Sequence, residues 1–199
     1  MPFAMPQWEL DLFLHINGQW RCALFDFLMP MISDSLFLWA AALIVVLYAL
    51  LTRKGHWAVV FTLAMTIGAS DLACSLIKSS VGRVRPYHSL VGTWYVDSGK
   101  WVQRSENAPT KERGSSFPSA HAANAMAAAL VLYSTFQRKA LWLIPLAIGY
   151  SRVYLGKHFP VDVLGGWLTG LGVACVLLSA YPILLSRTRS LWIKYRLRI

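Results

Sequence analysis

The segment "SRVYLGKHFPVDVLGGWLTGLGVACVLLSA", residues 151–180, changes character near its middle. The part up to residue 162 carries an arginine, a lysine, a histidine and an aspartate, whereas residues 163–180 carry no charge. An apolar run of this length can cross a bilayer as a helix. Charged side chains at membrane depth are costly, so they indicate function. The segment therefore predicts a membrane helix with a functional site at its N-terminal end.

The composition agrees with a membrane protein. Hydrophobic residues make up 56% of the 199 residues and charged residues 14%, which is too apolar for an ordinary soluble domain. The net charge of +10 fits anionic lipid or an anionic substrate. It does not predict a nucleic-acid partner, because the cations do not follow one soluble face. The three cysteines lack disulfide or zinc spacing, and the N-terminus lacks the pattern of a cleaved signal peptide.

Five stretches are long and apolar enough to cross a bilayer. They are residues 35–51, 57–77, 117–136, 140–156 and 163–186. Residues 1–34 mix apolar and charged residues, which predicts helices lying in the membrane interface or a degenerate sixth span. The predicted fold class is all-α: a single domain, 1–199, forming a polytopic helical bundle of five transmembrane helices with interfacial N-terminal helices.

Basic loops predict the orientation of this bundle. Residues 52–56, 137–139 and 186–199 are basic and would lie together on the cytoplasmic side. The N-terminus and the two segments rich in polar residues, 78–116 and 152–162, would then lie outside. We expect the outer loop 87–116 to contain a β-hairpin at 93–104, because apolar residues alternate around Asp-Ser-Gly. Such a hairpin could be an interfacial lid, or its aromatic side chains could contact a lipid substrate.

Three polar motifs fall on the same outer face by this count: "KSSVGRVRP" (78–86), "SFPSAH" (116–121) and "SRVYLGKHFPVD" (151–162). Lys78, Arg85 and Arg152 bring three cations to one place. Pro118 suits the first position of a helix, which would leave the N–H groups of Ser119, Ala120 and His121 pointing outward as an anion site.

The third motif also predicts an oriented histidine. Pro160 is expected to open a helix, with Asp162 in its first turn and close to His158. A carboxylate bound to one imidazole nitrogen fixes the tautomer and leaves the other nitrogen as a base or nucleophile. Together with His121 and the cations, this arrangement suits phosphoryl transfer, which depends on charge neutralisation and positioning.

The three motifs together resemble the type 2 phosphatidic acid phosphatase superfamily. Their spacing is Lys-x6-Arg-Pro, then Pro-Ser-x-His, then Ser-Arg-x5-His-x3-Asp. The matching residues are Lys78, Arg85, Pro86, Pro118, Ser119, His121, Ser151, Arg152, His158 and Asp162. Ala120 departs from the glycine that is commonest in the family, but alanine also supplies a backbone N–H.

The resemblance implies an integral membrane lipid phosphatase that needs no metal or other cofactor. His158 would attack phosphorus and form a phosphohistidine, while Asp162 orients its ring. His121 would protonate the leaving oxygen and then activate water. The phosphate oxygens would be held by Lys78, Arg85, Ser119, Ala120 and Arg152.

Other classes of function fit the sequence less well. A transporter would tend to show internal repeats and broken helices near mid-membrane. A zinc hydrolase could use His121, His158 and Asp162, but their spacing is not that of metal ligands. The motifs recognise phosphate rather than a lipid tail. From the family's known substrates, undecaprenyl diphosphate is the favoured substrate. Phosphatidic acid, phosphatidylglycerol phosphate and lipid A are alternatives. We expect a bacterial inner-membrane protein whose site faces the periplasm or exterior; the sequence leaves its oligomeric state open.

Overall fold

The computed structural model describes residues 5–34, 43–44, 46–48, 51 and 57–196, and for 181–196 only the helical backbone. Most of the first predicted span, 35–51, lies outside the described residues. The described helices are α1 (Gln7–Leu14), α2 (Ala23–Ile32), α3 (Trp57–Val81), α4 (Pro86–Ser89), α5 (Ala120–Phe136), α6 (Leu143–Tyr154) and α7 (Pro160–Arg196). A π-helical turn, His15–Gln19, follows α1, and a 3₁₀ turn, Lys139–Trp142, precedes α6. Strands β1 (Trp94–Asp97) and β2 (Lys100–Gln103) stand between α4 and α5.

Helices occupy the second to fifth predicted spans, but they differ in length. In the described part of the chain, two segments are long and apolar enough to cross a membrane. They are Trp57–Ser89, which contains α3 and the short α4, and Pro160–Ala180, the first part of α7. At the third and fourth predicted spans, α5 has 17 residues and α6 has 12. The mainly helical bundle is therefore established. Of the four predicted spans that lie in the described part of the chain, two meet the length and hydropathy of a membrane helix, so the predicted count of five spans stays a prediction.

Small residues bring α5 and α7 into close contact. A Cβ added to Gly166 would overlap the carbonyl oxygen of Ser119, and one added to Gly170 would overlap that of Ala123. Only glycine fits at these two positions. The buried side chains of α5 are also small: Ala122, Ala123, Ala125, Ala127, Ala129 and Val131. The N-terminal end of α5 is thereby fixed against that of α7.

The N-terminal helices belong to the packed core at the same end of the bundle. Phe13 of α1 and Met29 of α2 share one hydrophobic cluster with Val153, Tyr154 and Phe159. The rings of Phe13 and Phe159 lie 5.3 Å apart between centroids. Buried residues of α1 and α2 thus pack on the end of α6 and on the connection to α7.

Strands β1 and β2 form an antiparallel hairpin in which Asp97 pairs with Lys100. Ser98 and Gly99 form its turn with φ values of 50° and 79°, the left-handed conformation of a two-residue hairpin turn. Arg21 fixes the hairpin to the N-terminal region, because its guanidinium lies 4.0 Å from the ring centroid of Trp101 and 4.8 Å from that of Trp94. One cation thus contacts an aromatic ring on each strand.

Candidate active site

The three polar motifs meet at one end of the bundle. Lys78 lies in the last turn of α3, Arg85 precedes α4 and Arg152 lies in the last turn of α6. His121 lies in the first turn of α5, and His158 lies in the short connection from α6 to α7. The structure therefore places the predicted cations and both histidines at adjoining helix ends. Their roles in chemistry stay predictions.

His158 is 2% exposed and stands beside the first turn of α7. Its Nδ1 lies 3.7 Å from Oδ2 of Asp162, which is longer than a hydrogen bond, and has no hydrogen-bond partner among the described residues. Burial lowers the pKa of the His158 imidazole to about 4, and the charges of Arg152 and Arg85 add to this against the opposing effect of Asp162. The ring is therefore neutral at pH 7, with a lone pair on one nitrogen.

The carboxylate of Asp162 is fully buried and held from both sides. Oδ1 accepts a hydrogen bond of 2.8 Å from Nη1 of Arg83. Oδ2 accepts one of 2.5 Å from the Ser116 hydroxyl and one of 2.8 Å from the N–H of Phe159. Three hydrogen-bond donors thus fix the direction in which the carboxylate faces His158.

The start of α5 corrects one sequence prediction. The helix begins at Ala120, with Ser119 in extended conformation as its N-cap, so Pro118 lies outside the helix rather than at its first position. The N–H of Ser119 is not free, because it donates a 2.8 Å hydrogen bond to the carbonyl oxygen of Asp162. The N–H groups of Ala120 and His121 open the helix and have no partner within it.

Ser119 keeps a different group for binding. Its hydroxyl is buried and has no hydrogen-bond partner in the described part of the chain. This hydroxyl lies at the N-terminus of α5, next to the first N–H groups of the helix. The positive end of a helix favours an anion there. Ser119 therefore fits an anion site through Oγ rather than through its backbone N–H.

Arg85 and Arg152 also carry unpaired donors. The Nε atom of each is buried without a hydrogen-bond partner in the described residues. Nη1 of Arg152 donates to the hydroxyl of Ser33, which holds the side chain from the C-terminal end of α2. Buried donors without acceptors are rare in proteins, and a bound anion would satisfy them.

Several residues at the site were not predicted. Arg83 and Ser116 lie inside the quoted motifs, and this position in the sequence could have indicated that they belong to the site. Glu9 and Ser33 lie in the N-terminal region, where no local pattern indicated a site. Within the described ranges, no group of three or more His, Cys, Asp and Glu side chains is placed to hold a metal ion.

Lys157 adds a fourth cation next to His158. It is half-buried, and its N–H donates a 3.1 Å hydrogen bond to the carbonyl oxygen of Arg152. Burial lowers the pKa of its ammonium group, and the nearby charges of Arg152 and Arg85 lower it further, while Asp34 opposes them. Lys157 is thus partly solvated, and its ammonium group is near enough to Arg152 and Arg85 for their charges to act on it.

Known proteins resemble the chain over most of its length. The profile of the PAP2 superfamily matches residues 55–184. The lipid A 4'-phosphatase of Bacteroides thetaiotaomicron is 29% identical over 174 residues, which are 81% of this chain and 72% of that protein. An undecaprenyl-diphosphatase of Sulfolobus acidocaldarius is 29% identical over 123 residues, 60% of this chain and 52% of that protein. The crystal structure of Aquifex aeolicus LpxE superimposes with a TM-score of 0.67 at 26% identity, covering 89% of this chain and 96% of that one.

Proposed function

The chain belongs to the PAP2 superfamily, and we propose that it hydrolyses a membrane lipid phosphate through a phosphohistidine formed on His158. It is a lipid phosphatase, as its relatives are. The observation that carries the proposed mechanism is a buried, neutral His158 whose Nδ1 faces the anchored carboxylate of Asp162 at 3.7 Å. This arrangement leaves Nε2 as the nucleophilic nitrogen.

In the first step, the lone pair of His158 Nε2 attacks phosphorus and the bond from phosphorus to the leaving oxygen breaks. The imidazole becomes positively charged, and Asp162 stabilises that charge through Nδ1–H. The leaving oxygen takes a proton from His121, and the lipid departs as an alcohol or, from a diphosphate, as a monophosphate. No oxidant or reductant takes part.

In the second step, His121 accepts a proton from water while the water oxygen attacks phosphorus. The P–N bond breaks, inorganic phosphate leaves and His158 is neutral again. The equatorial oxygens would be held in both steps by Lys78, Arg85, Arg152, the Ser119 hydroxyl and the N–H of Ala120. These cations supply the positive charge that a metal ion supplies in other phosphatases, so we propose a metal-independent reaction.

Undecaprenyl diphosphate is the substrate that we propose. A site at the ends of the helices can take a headgroup while the tail stays in the bilayer. Lys157 supports a diphosphate, because it adds a fourth cation beside the three that would bind the phosphate under attack. One relative is an undecaprenyl-diphosphatase.

A second candidate substrate is a lipid A phosphate. The relative that matches 81% of this chain is a lipid A 4'-phosphatase. The experiment that separates the two is kcat/KM in mixed micelles for undecaprenyl diphosphate, lipid A, phosphatidylglycerol phosphate and phosphatidic acid. A preference for lipid A would reject the polyprenyl substrate, and release of phosphate from none of them would reject the proposed function.

We further propose that the site faces the periplasm or cell exterior of a bacterial inner membrane. Span parity and the basic tail, residues 186–199, support this orientation. Single cysteines placed at the exposed turn residues Ser98 and Gly99 of a cysteine-free variant should react with an impermeant thiol reagent in intact cells. If these cysteines react only after lysis, the site faces the cytoplasm and the proposed orientation is wrong.

A further inference from the structure

A network of three buried charges connects the N-terminal helix to the site. Glu9 of α1 is 0% exposed, Arg83 7% and Asp162 0%. Nη2 of Arg83 lies 2.8 Å from Oε2 of Glu9, and Nη1 lies 3.1 Å from Oε1 of Glu9 and 2.8 Å from Oδ1 of Asp162. One guanidinium thus bridges two carboxylates.

Glu9 has a second connection to the segment that carries the nucleophile. Its Oε1 accepts a 3.0 Å hydrogen bond from the N–H of Val161, in the first turn of α7. The guanidinium of Arg83 lies 4.6 Å from the ring centroid of Phe159, which packs on Phe13 of α1. Both carboxylate oxygens of Glu9 are therefore used, and the contacts lead to residues next to His158 and Asp162.

The charges of this network determine how much negative charge Asp162 keeps near the His158 ring. Arg83 alone would neutralise Asp162, because a buried ion pair at 2.8 Å cancels most of the field of each partner. Two carboxylates on one guanidinium instead leave the three groups with a net charge of −1. Because Glu9 engages both terminal nitrogens of Arg83, Asp162 shares the guanidinium and keeps negative charge for the imidazolium that forms at His158.

We propose that Glu9 is a positioning residue for the hydrolysis, acting through Arg83 on the orientation and charge of Asp162. This inference rests on the proposed phosphohistidine mechanism. It assigns the N-terminal helix a part in catalysis in addition to its packing in the core. Neither Glu9 nor Arg83 contacts the phosphate in this proposal, so their loss should change the chemical step more than the binding of substrate.

The test uses the full-length protein in detergent, with Glu9→Gln as the principal variant. Glutamine keeps the size of the side chain but lets Arg83 neutralise Asp162. We expect kcat and the rate of phosphoenzyme formation to fall by about 10- to 100-fold, with KM changed by less than about threefold. Asp11→Asn is the matched control. Asp11 is exposed on the same helix, where its carboxylate accepts a hydrogen bond from Gln7, and this variant should behave as wild type.

A purely structural role for Glu9 makes different predictions. Phe13→Leu weakens the packing of α1 without changing charge. If Glu9 only held α1 in place, Glu9→Gln should lower kcat no more than Phe13→Leu does at a comparable loss of Tm. In an Asp162→Asn background, Glu9→Gln should cost less than about threefold more, because its effect passes through that carboxylate. The inference is wrong if the double variant loses kcat by the product of the Glu9→Gln and Asp162→Asn factors. It is also wrong if Glu9→Gln has the same kcat as Asp11→Asn.

Arg83→Lys keeps the test decisive if Glu9→Gln does not fold. A lysine ammonium keeps the charge but cannot form the fork that bonds both carboxylates. It should reproduce the loss in kcat with little change in KM, and wild-type kcat in this variant would overturn the inference. If wild-type protein forms no phosphoenzyme, the proposed mechanism itself fails. If wild type forms one and Glu9→Gln forms it equally fast, only the inference fails.

Discussion

Replacing Asp162 by asparagine tests the mechanism at its central pair. The substitution keeps the size of the side chain but removes the charge that faces His158. The positive charge that develops on the imidazole during attack would then lack its buried partner. The new amide would also turn an N–H₂ group towards either Arg83 or the donors at Ser116 and Phe159, where the carboxylate now accepts hydrogen bonds from all three.

The size of the effect follows from the distance between the two side chains. Nδ1 of His158 and Oδ2 of Asp162 are 3.7 Å apart. At an effective dielectric constant of about 20, two unit charges at this separation attract by about 4 kcal/mol. That energy is available only once the ring is charged, so its loss should lower kcat by about a thousandfold, while KM changes little.

The assay measures phosphate release in detergent together with rapid-quench trapping of the phosphoenzyme. Asp97→Asn, at the exposed end of strand β1, is the control for loss of a carboxylate and should retain wild-type rates. Ser116→Ala removes one hydrogen bond from Asp162 without removing its charge, and should cost about tenfold. A folded Asp162→Asn protein whose kcat falls by less than about tenfold would refute the role given to this pair.

The other predictions concern the histidines, pH, metal ions and the fourth cation. His158→Ala should abolish both turnover and trapped phosphoenzyme, whereas His121→Ala should allow some phosphoenzyme to form and slow its hydrolysis; substantial turnover by His158→Ala would contradict the assignment. Because burial depresses the pKa of His158 from its usual 6.5 to about 4, the folded state binds this proton less tightly than the unfolded state. This difference in pKa makes the folded state more stable above pH 6.5, and the contribution is lost as pH falls towards 4. Tm should therefore drop over that range, and it should drop less steeply in His158→Gln. Equal dependence of Tm on pH in the two proteins would oppose this account. Chelation by EDTA should leave activity intact and vanadate should inhibit, and restoration of a chelated, inactive enzyme by zinc or magnesium would overturn a metal-independent mechanism. Lys157→Gln should lower kcat/KM for undecaprenyl diphosphate more than for the monophosphate, and an equal effect on both would remove Lys157 from the headgroup site.

The positions of the motif residues could be predicted from the sequence because they depend on local pattern. The uncharged run after Asp162 predicts a helix, and Pro160 does open α7, since a proline at a helix start loses no hydrogen bond. Counting apolar stretches places Lys78, His121 and His158 at one end of the bundle without any knowledge of packing. The membership of the PAP2 superfamily confirms the resemblance that these spacings indicated.

Tertiary structure decided the features that depend on residues distant in the chain. Glu9 is 74 positions from Arg83, and Arg83 is 79 positions from Asp162, so no local pattern could show that one guanidinium joins both carboxylates. The start of α5 lies two residues later than Pro118 predicts for the same reason. The N–H of Ser119 donates a hydrogen bond to the carbonyl oxygen of Asp162, a partner on another helix, and Ser119 stays in extended conformation. Local spacing determines which residues can reach one end of a helix, whereas the partners that neutralise and orient them are set by how the helices pack.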